Sequence, residues 1–330
     1  SVTPLSSKDT KCYLYFDEEP SAADVILANS IRGSGTPNFA NTSCSNGTNN
    51  ESNCDEATVG LYEGEENGET IYYFRGDVDD NWVQFAGYYW RIIRTNSDGS
   101  IRMIYNGTST ATGTGTQIGT SAFNSIYNAS YYVGFKYTID EQHGTSTNST
   151  VLDVLNTWYS SNLATYASKL TSGTGFCNDR DMASGYSWSV NPGSTIYYAS
   201  YERLQINRMP SLDCNTVSDN FTTSGSEVGN GALQYPIGLI TADEVAMAGG
   251  TFTTGNNGYY LYTGQNYLTI SPTNVDSVSN AGVFRVYSTG SFGGSWVANT
   301  YGVRPVINLR ADVELTGTGT SSDPYVVEGA

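Results

Sequence analysis

Lysine is nearly missing from this chain of 330 residues: Lys8, Lys11, Lys136 and Lys169 are all it has. Histidine occurs once, at His143, and cysteine five times. Charged residues make up only 14%, and no apolar run approaches the roughly 20 residues that cross a bilayer as a helix. Each shortage excludes something. With 15 Lys+Arg against 32 Asp+Glu, 15 − 32 gives a net charge of −17. Such a chain has no electrostatic footprint for the phosphates of nucleic acid, and anionic lipid surfaces are disfavoured in the same way. Cys-x-x-Cys pairs and clustered Cys and His are absent, so zinc lacks a ligand set of ordinary spacing. A Ser-His-Asp triad would need His143 as its base, yet no Gly-x-Ser-x-Gly elbow accompanies it. Lying after Asp140, Glu141 and Gln142 in a polar stretch, His143 reads as a surface histidine.

What fills the chain instead is Gly, Ser, Thr, Asn and Tyr, with 36 Gly and 26 Tyr, and aromatics reach 13%. That aromatic content excludes chain-wide disorder. A surface hydrated by neutral polar groups, with few sites for trypsin-like cleavage, points to an extracellular protein. Cysteine use agrees. Cys44 and Cys54 bracket a short polar loop, and Cys177 and Cys214 a longer one, which makes two candidate disulfides. Cys12 is left over, either free or paired outside the chain. Seven Asn-x-Ser/Thr sequons, at Asn41, Asn46, Asn50, Asn106, Asn128, Asn148 and Asn220, are no more than an Asn- and Thr-rich composition yields by chance. The chain opens Ser1-Val2-Thr3-Pro4 with no initiator Met, an opening that a removed leader or a chosen start point explains equally.

Residues 1–60 read as an irregular N-terminal arm, stapled by the 44–54 bridge and holding one short helix over 22–31, with Val25, Ile26 and Ile31 inward. Residues 61–330 read as a single domain. Its first strong signal is a hairpin, Tyr88–Arg94 returning as Ile101–Tyr105 around Asp98-Gly99, with Arg94 and Arg102 bracketing the tip. Residues 149–169 carry a helical stripe of Val151, Leu155 and Trp158, with Ser149 or Thr150 as cap. Tyr235–Ile240 reads as a short buried strand. Thr241 and Glu244 then form a capping box for a helix that Gly249 closes. The last third predicts short strands, among them Tyr267–Ile270, Val283–Tyr287 and Gly302–Leu309, with 291–301 as a loop carrying Phe292 and Trp296. Strands at both ends with helices between them make an α+β class.

Several of these elements form an ordered series: Tyr89-Trp-Arg-Ile-Ile93, Gly238-Leu-Ile-Thr-Ala-Asp-Glu-Val245 and Gly302-Val-Arg-Pro-Val-Ile-Asn-Leu309. The series, spanning roughly residues 70–313, resembles a family of uncharacterised surface proteins of gut Firmicutes and their relatives. The last motif is also similar, more distantly, to the Gly-hydrophobic-Arg strand of the C-type lectin and formylglycine-generating-enzyme fold. The resemblance implies extracellular display on a bacterial cell surface and a core of twisted, mostly antiparallel sheet with a few helices. It carries over no reaction, because a reactive Cys pair near the C-terminus is missing. It carries over no calcium-dependent sugar site, because Glu-Pro-Asn and Trp-Asn-Asp tripeptides are missing.

The candidate chemistry is sparse. Asp77, Asp79 and Asp80 could supply oxygens to Ca²⁺, the one cofactor the residues suggest, but they lack the EF-hand spacing and read first as a solvated connection. Asp179 and Asp181 flank Arg180 as an ion-pair cluster, and Asp243 and Glu244 suit a helix N-terminus. Arg304, between Val303 and Pro305, reads as a buried structural guanidinium, with Arg285 partly exposed. The positive signal is aromatic. Tyr267, Phe292, Trp296 and Tyr301 sit among Gly, Asn and Ser, the composition of adaptable binding surfaces, and Trp296 is the ring most expected at the surface. These features predict a non-enzymatic, adhesin-like surface protein that binds a host or microbial glycoprotein or glycan and no nucleic acid. The alternatives are a subunit of a surface layer or filament, self-associating through the N-terminal arm, and a secreted hydrolase built on paired carboxylates.

Overall fold

The computed structural model describes residues 20–39, 59–226 and 229–330. It is mostly sheet with few helices, 32% strand against 18% helix, which places the chain in the α+β class.

The first sheet grows from the predicted hairpin. Strands Tyr88–Thr95 and Ile101–Gly107 pair antiparallel, with Gly99 at φ 77° turning the chain between them. Gly60–Glu66, Glu69–Arg75 and Trp82–Phe85 extend it on one side, and Val306–Leu309 pairs with the hairpin's second strand on the other. Tyr325–Val327 joins parallel to Trp82–Phe85, so the last described strand closes onto one of the first. The second sheet is built on Tyr267–Val275, Ala281–Val286 and Ser291–Trp296, an antiparallel series. Thr300–Gly302 runs parallel to Tyr267 and antiparallel to Thr120–Ala122.

Helix Thr150–Asn162, capped by the Ser149 side chain, lays Trp158 among Tyr88, Trp90 and Tyr105. The ring centroids are 5.4–6.3 Å apart, close enough for edge-to-face attraction beyond the area they bury. Six residues, 164–169, continue as a tighter 3₁₀ turn. Helix Ala242–Ala248 begins in the expected box, in which Thr241 Oγ1 accepts from Glu244 N while Glu244 Oε2 accepts from Thr241 N.

Three expectations about these elements need correction. Tyr235–Ile240 is not a strand: Gly238 makes one isolated bridge to Val306, and the rest is irregular. The 291–301 loop is strand Ser291–Trp296, a turn, and strand Thr300–Gly302. Its glycines suggest loop, yet a glycine in a strand also marks a close approach of neighbours. Helix Ala22–Asn29 ends before Ile31, which is 70% exposed rather than inward. Within the N-terminal arm the described helix buries Ala22, Ala23 and Ile26 in the main core, and Ala22 N donates to Ala311 O. The predicted Cys44–Cys54 bridge and Cys12 lie outside the described residues. The Cys177–Cys214 disulfide is present, with Cα atoms 5.8 Å apart.

Candidate functional site

A polar spine runs beneath the disulfide. Arg94 and Arg102 bracket the hairpin tip by facing each other across the ladder, a pairing of like charges that costs stability unless neutralised. Glu244 supplies the neutralisation. Its Oε1 lies 3.0 Å from Arg94 Nε and 2.5 Å from Arg102 Nε, and Glu66 grips the outer edge of Arg94 at 2.8 Å. Burial alone would raise the Glu244 carboxyl, but the two arginines outweigh it and hold it below its usual range. Arg203 bridges Asp179, at 2.6 Å, and Asp243, at 3.0 Å. Asp179 thus pairs with Arg203 rather than with its neighbour Arg180. Of the carboxylates considered for hydrolysis, Asp179, Asp243 and Glu244 are committed to arginines and Asp181 accepts from Thr216 Oγ1, and the cavity beside the first three, about 40 Å³, has room for water.

Arg180 turns instead to Asp219, which is fully buried and accepts from its backbone N at 2.7 Å and its Nε at 2.7 Å. His143 joins the same carboxylate through Nδ1 at 3.0 Å, with Asp181 Oδ1 3.9 Å from Nε2. The surface reading of His143 is therefore incomplete: it is partly buried and paired. Its hydrogen bond to Asp219 outweighs burial and raises its pKa above 6.5. His143, Asp181 and Asp219 are the one three-ligand cluster of metal-binding type among the described residues. Its central carboxylate already neutralises Arg180, which leaves little charge for a cation. Asp77, Asp79 and Asp80 do not converge. Asp80 accepts from Ile31 N, Asp79 accepts from Trp82 Nε1 and Ser321 Oγ, and Asp77 is exposed.

Of the four aromatic residues expected to bind ligand, the structure buries two. Tyr267 is fully buried and donates its hydroxyl to Leu261 O, and Phe292 packs with Phe252 and Phe284. Strand alternation puts every second ring inside, and a single sequence does not say which. Trp296 and Tyr301 stay accessible, Trp296 at 42% exposure. Both line an open groove of about 310 Å³ on the second sheet, with Asn274, Arg285, Ser295 and Asn299. Ser295 Oγ and the Tyr301 hydroxyl are 3.0 Å apart, and Asn299 Nδ2 donates to the same Ser295 Oγ at 3.0 Å. Arg285 Cζ lies over the rings of Tyr287 and Tyr301, 4.1 Å from each centroid. Gly293, the ladder partner of Arg285, makes room for this arrangement. A Cβ there would stand 3.1 Å from Tyr287 Cε2.

Asn274, Ser295 and Asn299 carry no sequence signal of their own. Arg285 did leave one, a lone arginine in the strand Val-Phe-Arg-Val. Arg304, by contrast, is wholly internal, donating to Tyr105 O, Leu261 O and Asn106 Oδ1. A second concavity, about 550 Å³ and lined by Ile118, Val154 and Trp158, runs along the outer face of helix Thr150–Asn162. No protein-family model, curated protein or solved structure matches the chain.

Proposed function

We propose that this chain is an extracellular binding protein of a bacterial surface, adhesin-like, which engages a host or microbial glycan or glycoprotein through the Trp296–Tyr301 groove. The observation that carries the reading is the groove's composition: a 42%-exposed indole beside a phenol, with two amides and a hydroxyl converging on the same open space. Sugar rings offer an apolar C–H face and a rim of hydroxyls. A flat ring with fixed amide and hydroxyl partners is complementary to both. The rings lose little entropy on binding because strands hold them. The lysine-poor composition, rich in uncharged polar residues, and the Cys177–Cys214 bridge support an oxidising, exported location. The C-type-lectin-like core implied by the last motif fits the same reading, since that core is mixed α+β. We place the ligand on the second sheet and on no calcium site.

A glycan array probed with the intact chain tests the reading. Wild type binds a defined subset of glycans, and Trp296→Ala loses that subset while its melting temperature stays within about a degree, as a surface change should leave it. Binding that survives both Trp296→Ala and Tyr301→Ala contradicts the assignment to this groove.

A further inference from the structure

We infer that the groove selects carbohydrates bearing a carboxylate, such as sialic or uronic acids, and that Arg285 is the residue that reads the acid. The inference rests on the glycan reading above and narrows it to one chemical class.

Two observations carry it. The first is the pairing of the arginines. Arg94, Arg102, Arg180, Arg203 and Arg310 each hold a carboxylate within 4 Å, in a chain where acids outnumber bases by 32 to 15. Arg285 holds none among the described residues; Arg91, Arg208 and Arg304 also hold none there, but Arg285 is the one that lines this open groove, half-buried. Its single hydrogen bond among those residues is from Nη1 to Asn266 Oδ1 at 3.3 Å, out of five donors that a guanidinium carries. Its Nε is buried with no acceptor. The second observation is the groove wall itself. It contains one cation and no carboxylate, although the molecule as a whole carries −17.

Geometry then favours a carboxylate over other partners. A guanidinium donates in its own plane. The rings of Tyr287 and Tyr301 cover its faces, hold that plane fixed, and shield the charge from water. What remains for a ligand is the edge, which matches the two oxygens of a carboxylate. Trp296 is close enough in the same groove to take the C–H face of the ring that bears the acid.

The test uses matched ligands, so that it does not depend on any variant folding. The intact chain is titrated with a panel of sialylated and uronic-acid-terminated oligosaccharides, each beside its counterpart with the carboxyl reduced to an alcohol. The expected result is that at least one acid binds about tenfold or more tighter than its reduced partner, the gain of one charge-assisted fork. Arg285→Gln then brings the ratio of affinities between the acid and its reduced partner to about one, whatever it does to either affinity alone, and a ratio that stays tenfold overturns the assignment to Arg285. Equal affinity within every pair, with binding still lost in Trp296→Ala, overturns the acid selectivity and leaves the glycan reading intact. No binding of any sugar, acid or neutral, overturns both.

Discussion

Glu244 is a buried carboxylate with several partners at once. It caps its helix, and it neutralises two arginines placed opposite each other in a β-ladder. Glu244→Gln keeps the shape and the cap but leaves a buried positive pair. It should cost about 3–5 kcal/mol in urea unfolding, the usual penalty for removing one partner of a buried pair. Loss below about 1 kcal/mol would show that Glu66 alone suffices for Arg94 and that Arg102 needs no counter-ion. His143 makes a second residue-scale prediction. Its folded pKa is raised, so its pairing with Asp219 stabilises the fold fully below the unfolded value of about 6.5 and loses that effect as pH rises through the folded value. Arg180 opposes the protonated ring and Asp181 favours it, and the hydrogen bond to Asp219 prevails. The urea midpoint should therefore fall as pH rises above about 6.5, and His143→Gln should flatten that part of the profile. A wild-type profile already flat there would contradict the pairing.

Elements differ in how legible they were. The 88–107 hairpin, the Trp158 stripe and the Thr241 capping box follow from local rules: turn chemistry, a 3.6-residue period, and an N-cap oxygen three residues before an acid. The Ser291–Trp296 strand was hidden because its glycines answer to a neighbour. Gly293 is empty so that Tyr287 can lie beside Arg285, and nothing near Gly293 in sequence reports a ring six residues earlier. The pairings of Asp179, Arg180 and Asp219 were hidden for the same reason, since the partners lie 24 or 39 residues apart. Gly293→Ala should therefore displace the Tyr287 ring by a few tenths of an ångström and weaken ligand binding more than it weakens folding. A binding titration beside a thermal melt separates the two. The disulfide is an element-scale clamp as well. Closing 37 residues, it stabilises the fold by roughly 3–4 kcal/mol in the loop-entropy account. Reduction should lower the urea midpoint accordingly, and an unchanged midpoint would mean that the polar spine alone holds Cys177 and Cys214 together.

The whole molecule is a sheet-rich, acidic body whose arginines are largely spent on internal carboxylates and carbonyls, and whose one exposed tryptophan lines an open groove, while the exposed Tyr127 and Tyr186 lie outside that lining. Of the four rings singled out in the sequence, Trp296 is exposed and Tyr301 half-buried in the wall of the groove, whereas Tyr267 and Phe292 build the core. The Trp residues provide an internal control, because Trp82 and Trp90 are buried, Trp158 and Trp188 are half-buried, and Trp296 is the exposed one. The central claim is that ligand meets the protein at Trp296. Its most direct test is to titrate the chain, with its tryptophans labelled at the indole nitrogen, with the best-bound glycan and follow all five indole signals by NMR. The account predicts one saturable shift, at Trp296, with the other four signals unmoved. A shift confined to Trp158, beside the helix groove, or no shift at all under saturating glycan, would contradict it.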